Sequence, residues 1–346
     1  MEFDPGVRYE CLQCGKSCRK DWDVWVRPEL PAKIGRHYRE IFESVGERWR
    51  MRRNAGGCLC LDGQSRCQIH SALSYDDKPY RCQQYPILLT RTPDGIRVSA
   101  SYTCTAVLQQ AGPELARLEE QVENWVEGPF FVTEVGYDVP WAESVALDEH
   151  FLELLAQTDW ESALRRILSG LASGHVDGLT SHPVSWWKSY RSLPVDLTTC
   201  LPWLLAATLK PCLQLADRES WQQFDEAFIE GGRVSVQEIG YLGDRSQILA
   251  WALDVQPDTD LERYRASLFF RKQHLRCGGV LSGWFQLWSI GPVYRVLRQW
   301  LGSHTALERI EMNLLEHTDL GHRVLPSLAG EWLSRQGTGR QELPGS

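Results

Sequence analysis

Eleven cysteines are the residues of this sequence best equipped for chemistry, and their placement is uneven. Cys11, Cys14, Cys18, Cys58, Cys60, Cys67, Cys82 and Cys104 fall within the first third, and only Cys200, Cys212 and Cys277 lie beyond it. A free cysteine used as a small core hydrophobe scatters with the core. The last three, in Leu- and Trp-rich surroundings, are expected to be such packing residues. The first eight have three readings. Thiolates can ligate zinc or an iron–sulfur cluster, four to a site, so eight could serve one site or two. Disulfides need an oxidising compartment, to which nothing in the sequence points. Redox chemistry is the third reading, because Cys11-Leu-Gln-Cys14 is a C-x-x-C, but no thioredoxin-like βαβ pattern surrounds it.

The elements that must position these thiols are short. Val24-Trp-Val26 reads as a strand, and Pro28 and Pro31 open a helix in which Ile34, Tyr38, Ile41, Phe42 and Val45 recur at helical spacing. Asn54-Ala-Gly-Gly57 stops it, and a turn follows at Asp62-Gly63. Ile87–Thr90 and 96–102 read as strands joined by a Pro93-Asp94-Gly95 turn. Most of the cysteines therefore fall on loops, where a metal can hold what a core does not. A segment short of apolar core could use metal binding as folding energy.

Beyond Cys104 the pattern turns helical, near 113–126, 147–157, 160–172, 197–209, 217–229, 245–254, 259–275, 283–302, 304–316 and 324–335. Large aromatics such as Trp186-Trp187, Trp284, Trp288 and Trp300 are expected to fill its core. The expected fold is α+β and mostly α: a small, irregular, metal-bound Cys-rich domain with a short hairpin over 1–110, a helical domain over 111–336, and a disordered tail over 337–346.

Charge narrows the function classes. The chain of 346 residues carries a net charge of −8, which argues against general nucleic-acid binding. Residues 1–110 are net basic and the remainder net acidic; basic surroundings would suit an anionic thiolate site. Between residues 114 and 149, Arg117 is the one basic side chain among ten acidic ones, which makes either a solvated face or a surface for a basic partner. No run reaches the roughly 20 apolar residues of a membrane helix. Met1–Pro5 has neither a basic flank nor an apolar stretch, so no signal peptide is expected and the location expected is cytoplasmic.

The cysteine segments form four words in order: C-L-Q-C-G-K-S-C (11–18), G-G-C-L-C-L-D-G-Q-S-R-C-Q-I-H (56–70), K-P-Y-R-C-Q-Q-Y-P (78–86) and S-Y-T-C (101–104). This order resembles the YkgJ-type cysteine-cluster family of zinc- or iron-chelating domains. With a long helical remainder, it looks most like the flagellin lysine N-methylase branch. The resemblance covers residues 9 to about 106. It implies metal ligation by Cys11, Cys14, Cys18, Cys58, Cys67, Cys82 and Cys104. Ser17 stands where the family has a further cysteine, and Cys60 where it prefers Phe, so Cys60 is expected to pack. His70 matches the family His and could be a ligand or could fix the loop through a hydrogen bond. Gly15 is expected to adopt a left-handed backbone, and Lys78-Pro79 and Tyr85-Pro86 to form turns that aim Cys82.

The branch implies a [4Fe-4S] cluster and methyl transfer from S-adenosylmethionine to a protein substrate with exposed lysines. On residues alone, single cysteines spread from 58 to 104 suit iron–sulfur better than the paired words of structural zinc, which stays as the alternative. C-x-x-C-x-x-x-C also puts three thiolates in one loop, as a cuboidal cluster would use. It reverses the order found in radical S-adenosylmethionine enzymes, whose barrel pattern is absent. No Gly-rich loop joins a strand to a helix as in Rossmann-type methylases; Gly231-Gly232 and Gly278-Gly279 lack that setting. A non-catalytic iron–sulfur redox or sensing module and a zinc-stabilised interaction protein are the other two hypotheses. The sequence identifies no catalytic residue.

Overall fold

The computed structural model describes residues 1–20, 22–33, 40–135, 140–173, 197–213, 222–224, 226, 228, 233–236, 240–276 and 280–316. The expected helix at 324–335, the tail at 337–346, Trp186-Trp187, Cys277 and both Gly-Gly pairs lie outside them, as does Cys200's side chain. The chain forms two compact units, Met1–Glu134 and Val135–Ser346. The described residues are mostly helical, with a minority of strands, and none of their helices is long and apolar enough to cross a membrane.

Among its described residues the first unit holds a four-stranded sheet, a three-stranded sheet and the two-stranded pair Arg53–Asn54 with Gly57–Cys58. The expected hairpin forms between Ile87–Thr92 and Gly95–Ala100, in register from Ile87 opposite Ala100 to Thr92 opposite Gly95. Glu2–Phe3 adds parallel to one side and Val132–Glu134 parallel to the other. The expected boundary near residue 110 falls inside this unit, because the helix Glu119–Glu127 leads on to that last strand. Ile87, Leu89, Val98 and Ala100 are buried there, as half-covered strands require.

The second sheet corrects the sequence expectation. Among the described residues, Leu30–Lys33 is helical, while Phe42–Val45 is a strand paired antiparallel with Arg48–Met51, which also pairs with Trp25–Val26. Ile34 and Tyr38 lie outside the described residues. Apolar residues at 41, 42 and 45 suit a helical period, and the turn decides against it. Gly46 adopts φ +63° in a two-residue loop, a conformation that suits a hairpin and not a helix. Glu43 then sits opposite Arg50 and accepts from its Nε at 2.6 Å. Val24, Leu30, Ile41, Phe42, Met51, Cys60 and Ile69 form a buried cluster under this sheet. The segment is therefore not short of apolar core.

In the second unit, Val280–Leu301 packs against Trp160–Ser173, Leu197–Cys212, Arg245–Leu253, Thr259–Phe270 and Ser303–Ile310. Trp284 and Trp288 are buried as expected, while Trp300 is half-buried and edge-on to Trp251. Cys212 is buried, as a packing thiol should be. Asp244 and Asp258 cap their helices by accepting backbone N–H groups.

Several buried charges tie these helices together. Glu161 accepts from Arg265 at 3.2 Å and from Arg295 at 3.3 Å. Glu311 takes both Arg271 amino groups at 2.9 Å, and Asp148 pairs with Lys272 and with His274 at 2.9 Å. Pro292 lies inside the long helix and has no N–H for the Trp288 carbonyl four residues earlier. Arg265 supplies that donor, from Nη2 at 3.3 Å. Gly291 leaves the room: a Cβ there would lie 2.0 Å from the same nitrogen.

Candidate metal centre

Close backbone contacts hold the cysteine words together. Gly15 adopts φ +63°, as expected, and a Cβ on it would lie 2.7 Å from the Ser65 carbonyl oxygen. Gly57, at φ +111°, would likewise meet the Cys18 carbonyl oxygen at 2.8 Å. Two glycines thus let the 11–18 loop lie directly on the 57–67 segment. Arg19 Nη1 donates to the Cys14 carbonyl at 3.3 Å, and Arg53 Nη1 donates to that of Cys18 at 3.3 Å. The Asp62-Gly63 turn is fixed by Asp62 Oδ1, which accepts from the backbone of Gln64 and Arg66 at 2.8 Å each.

Cys67 and Cys104 immediately precede the short helices Gln68–Ala72 and Thr105–Leu108, and Cys82 lies within Tyr80–Gln84. The loop before Cys82 is pinned by Gln83 Nε2, which donates to the Asp76 carbonyl at 2.9 Å and the Lys78 carbonyl at 2.7 Å. Tyr85-Pro86, just beyond, is a cis peptide.

Electrostatics sorts the thiols into two sets. Each of Cys18, Cys58, Cys67 and Cys82 feels the charge of the other three, though they come from four separate stretches of chain. All four are half-buried, and Cys58, Cys67 and Cys82 back onto the apolar cluster. Cys104 feels the charges of Cys11 and Cys14, both exposed, and Tyr9 feels those of Cys11 and Cys104. Tyr75 feels Cys11 from one set and Cys82 from the other. Cys18 of the opening word thus interacts with thiols from three other stretches of chain.

Burial pushes the Cys18 thiol up to about 11, and the charges of Cys58 and Cys67 add to this. Burial also raises Cys58, Cys82 and Cys104. Cys67 moves the other way. The neighbouring Cys60 thiol lowers it most, against the opposing effect of burial, and the Ile69 and His70 N–H groups and the Lys78 ammonium lower it further. Lys78 also lowers Cys18 and Cys82, so one cation serves three of the four thiols. Its sequence role was read as a turn-former. Its charge as a partner to thiols from residues 18 and 67 emerges only once the loops are folded together.

Cys60 is buried in the apolar cluster, in keeping with a packing residue, and Cys67 raises its thiol pKa. His70 is exposed and stands edge-on to Tyr75, with ring centroids 5.7 Å apart.

No protein-family model, curated protein or solved structure matches the chain. The family likeness rests on the four cysteine words alone.

The set Cys18, Cys58, Cys67 and Cys82 suits a thiophilic metal in number, in type and in having a nearby cation. Among the described residues, no three His, Cys, Asp or Glu side chains already stand in ligating positions around one point. Ligation would therefore require these sulfurs to draw together.

Proposed function

We propose that the N-terminal unit is a metal-binding domain that carries a [4Fe-4S] cluster on Cys18, Cys58, Cys67 and Cys82. The mutual interaction of these four thiols supports the reading. Four single cysteines also suit a cluster better than structural zinc, whose ligands come in closely spaced pairs. The one C-x-x-C pair, Cys11 and Cys14, belongs to the other set.

A bound cluster would supply one-electron transfer or a Lewis-acidic iron. The protein's own part is to surrender the thiol protons on binding, to offset the added negative charge with Lys78, and to shield one side with the apolar cluster. Gly15 and Gly57 keep Cys18 against the segment that carries Cys58 and Cys67.

Iron, zinc and acid-labile sulfide per chain, measured on protein purified without oxygen, test the proposal. Iron and sulfide of about four each are expected, lost in Cys82→Ser and kept in Cys104→Ser and Cys212→Ser. Zinc without sulfide would overturn the cluster, and equal loss in Cys104→Ser would overturn the division into two sets. Methyl transfer from S-adenosylmethionine to protein lysines remains the activity that the family resemblance implies for the whole chain. Incorporation of a labelled methyl group into a lysine-bearing protein tests it.

A further inference from the structure

Lys272 stands where a helix commonly ends on glycine. It follows the helix Thr259–Phe270 and adopts φ +56°, a left-handed backbone that is costly for lysine and free for glycine. Its N–H closes the helix end by donating to the Phe269 carbonyl at 3.0 Å, which glycine would do as well. The side chain therefore accounts for the residue. It turns inward and is 7 % exposed. Its ammonium donates to Asp148 Oδ2 and lies over two rings, 5.3 Å from the centre of Phe269 and 5.9 Å from that of Trp141. The other Asp148 oxygen, Oδ1, is 2.9 Å from Nε2 of His274, a fully buried imidazole stacked on Phe269 with its plane 9° away. An ionised carboxylate only accepts, so Nε2 carries the proton and the imidazole fixes how Asp148 meets the ammonium. Trp141 opens the helix Trp141–Gln157 and is half-buried, so this wall of the site reaches the surface. A carboxylate and two ring faces recognise an alkylammonium group as such.

We propose that Asp148, Trp141 and Phe269 form a binding site for a lysyl side chain of a partner protein, and that Lys272 fills it as an internal plug in the free protein. An incoming lysine brings the same ammonium, so the exchange keeps the ion pair and both ring contacts. It also lets Lys272 leave its left-handed backbone for water. The helix that carries Trp141 and Asp148 has no Lys or Arg and exposes Glu149 and Glu153, which favours a lysine-bearing partner. Affinity for that partner is reduced by the fraction of molecules in which Lys272 still occupies the site. The site stands on this geometry alone. Its use for an acceptor lysine rests on the methyl-transfer activity that the family resemblance implies.

The experiment uses the full-length protein and two probes, Nα-acetyl-lysine methylamide and its norleucine counterpart, which lacks the ammonium. Calorimetry compares wild type, Lys272→Gly and Lys272→Gly with Trp141→Leu. Glycine suits the left-handed backbone, so the plug is removed without straining the helix end. Lys272→Gly should bind the lysine probe about tenfold or more tightly than wild type does. Adding Trp141→Leu should weaken that binding roughly two- to fivefold, as loss of one ring under a cation predicts. The norleucine probe should bind to none of them. In the wild type, a saturating lysine probe should speed amide hydrogen exchange over 268–276, where Lys272 is turned out, and the norleucine probe should not. The proposal is overturned if Lys272→Gly binds no better than wild type, or if the norleucine probe binds as tightly as the lysine probe. The wild-type exchange needs no variant to fold, and exchange unchanged by the lysine probe overturns the proposal equally. If the lysine probe binds as expected but no labelled methyl group reaches any protein lysine, the ammonium site stands and the methyl-transfer reading fails.

Discussion

The contact between the first two cysteine words makes a quantitative prediction. Gly15 and Gly46 share φ +63°, but only Gly15 faces obstruction: a Cβ would lie 2.7 Å from the Ser65 carbonyl oxygen, while at Gly46 nothing lies within 4 Å. Alanine at either position incurs the left-handed backbone penalty, roughly 1–2 kcal/mol. Alanine at Gly15 must also displace backbone, for roughly a further 1–3 kcal/mol. Gly15→Ala should therefore cost roughly 2–5 kcal/mol and Gly46→Ala about half as much or less.

The comparison cancels what the two substitutions share and leaves the loop contact. Hydrogen exchange with mass spectrometry, read on peptides spanning 9–20 and 58–70, is the suitable assay, because two compact units need not unfold together. For Gly15→Ala, protection in both peptides should fall roughly 30-fold or more, at about tenfold per 1.4 kcal/mol. Gly46→Ala should loosen chiefly the 42–51 hairpin. Equal protection of 9–20 and 58–70 in the two variants would refute the contact, and with it the account of how Cys18 is held near Cys58 and Cys67.

Other outcomes follow from the charges. Glu161→Gln leaves the buried guanidinium groups of Arg265 and Arg295 without their carboxylate and should cost about 3–5 kcal/mol, read as lost exchange protection in 160–173 and 259–270; a change under about 1 kcal/mol would show the carboxylate to be dispensable. Burial alone would raise the Asp148 carboxyl, but His274 and Lys272 outweigh it and hold it below the usual carboxylate range. Its stabilising contribution is thus present above about pH 3.9 and lost as pH falls through the lower folded value. Asp148→Asn should be less stable at neutral pH and should show a shallower acid limb in a pH series of thermal melts. In the metal-free protein, the raised Cys18 thiol favours the folded state below the ordinary thiol pKa, and that preference is lost as pH rises toward about 11. Metal uptake releases thiol protons, so pH titration of loading should show affinity rising with pH; affinity independent of pH would exclude thiol ligation.

The sequence made local features legible where one signal stood unopposed. The 87–100 hairpin had alternation and a Pro-Asp-Gly turn in agreement, and the described helices beyond Cys104 had long apolar periods. The 42–51 hairpin was misread because its apolar residues fit a helical period, and a single glycine and one Glu–Arg pair decided otherwise. The thiols to be grouped were legible by type. Their grouping was not: it depends on Gly15 and Gly57 admitting backbone from distant segments, which spacing along the chain does not encode. Cys18, four residues beyond Cys14, interacts with thiols that lie 40 or more positions further along the chain. Cys60 packs in the apolar cluster, as the family resemblance implied.

The arginine that serves the Trp288 carbonyl bears on how the second unit assembles. A helix interrupted by Gly291-Pro292 lacks one of its own rungs, and the missing donor comes from a different helix, 23 residues earlier. That arginine is itself neutralised by a carboxylate on a third helix. A peptide spanning 280–301 would therefore have no means of completing itself, and the three segments gain most when they order together. Continuity of the long helix is a collective property of the bundle, which ties its integrity to residues 161 and 265.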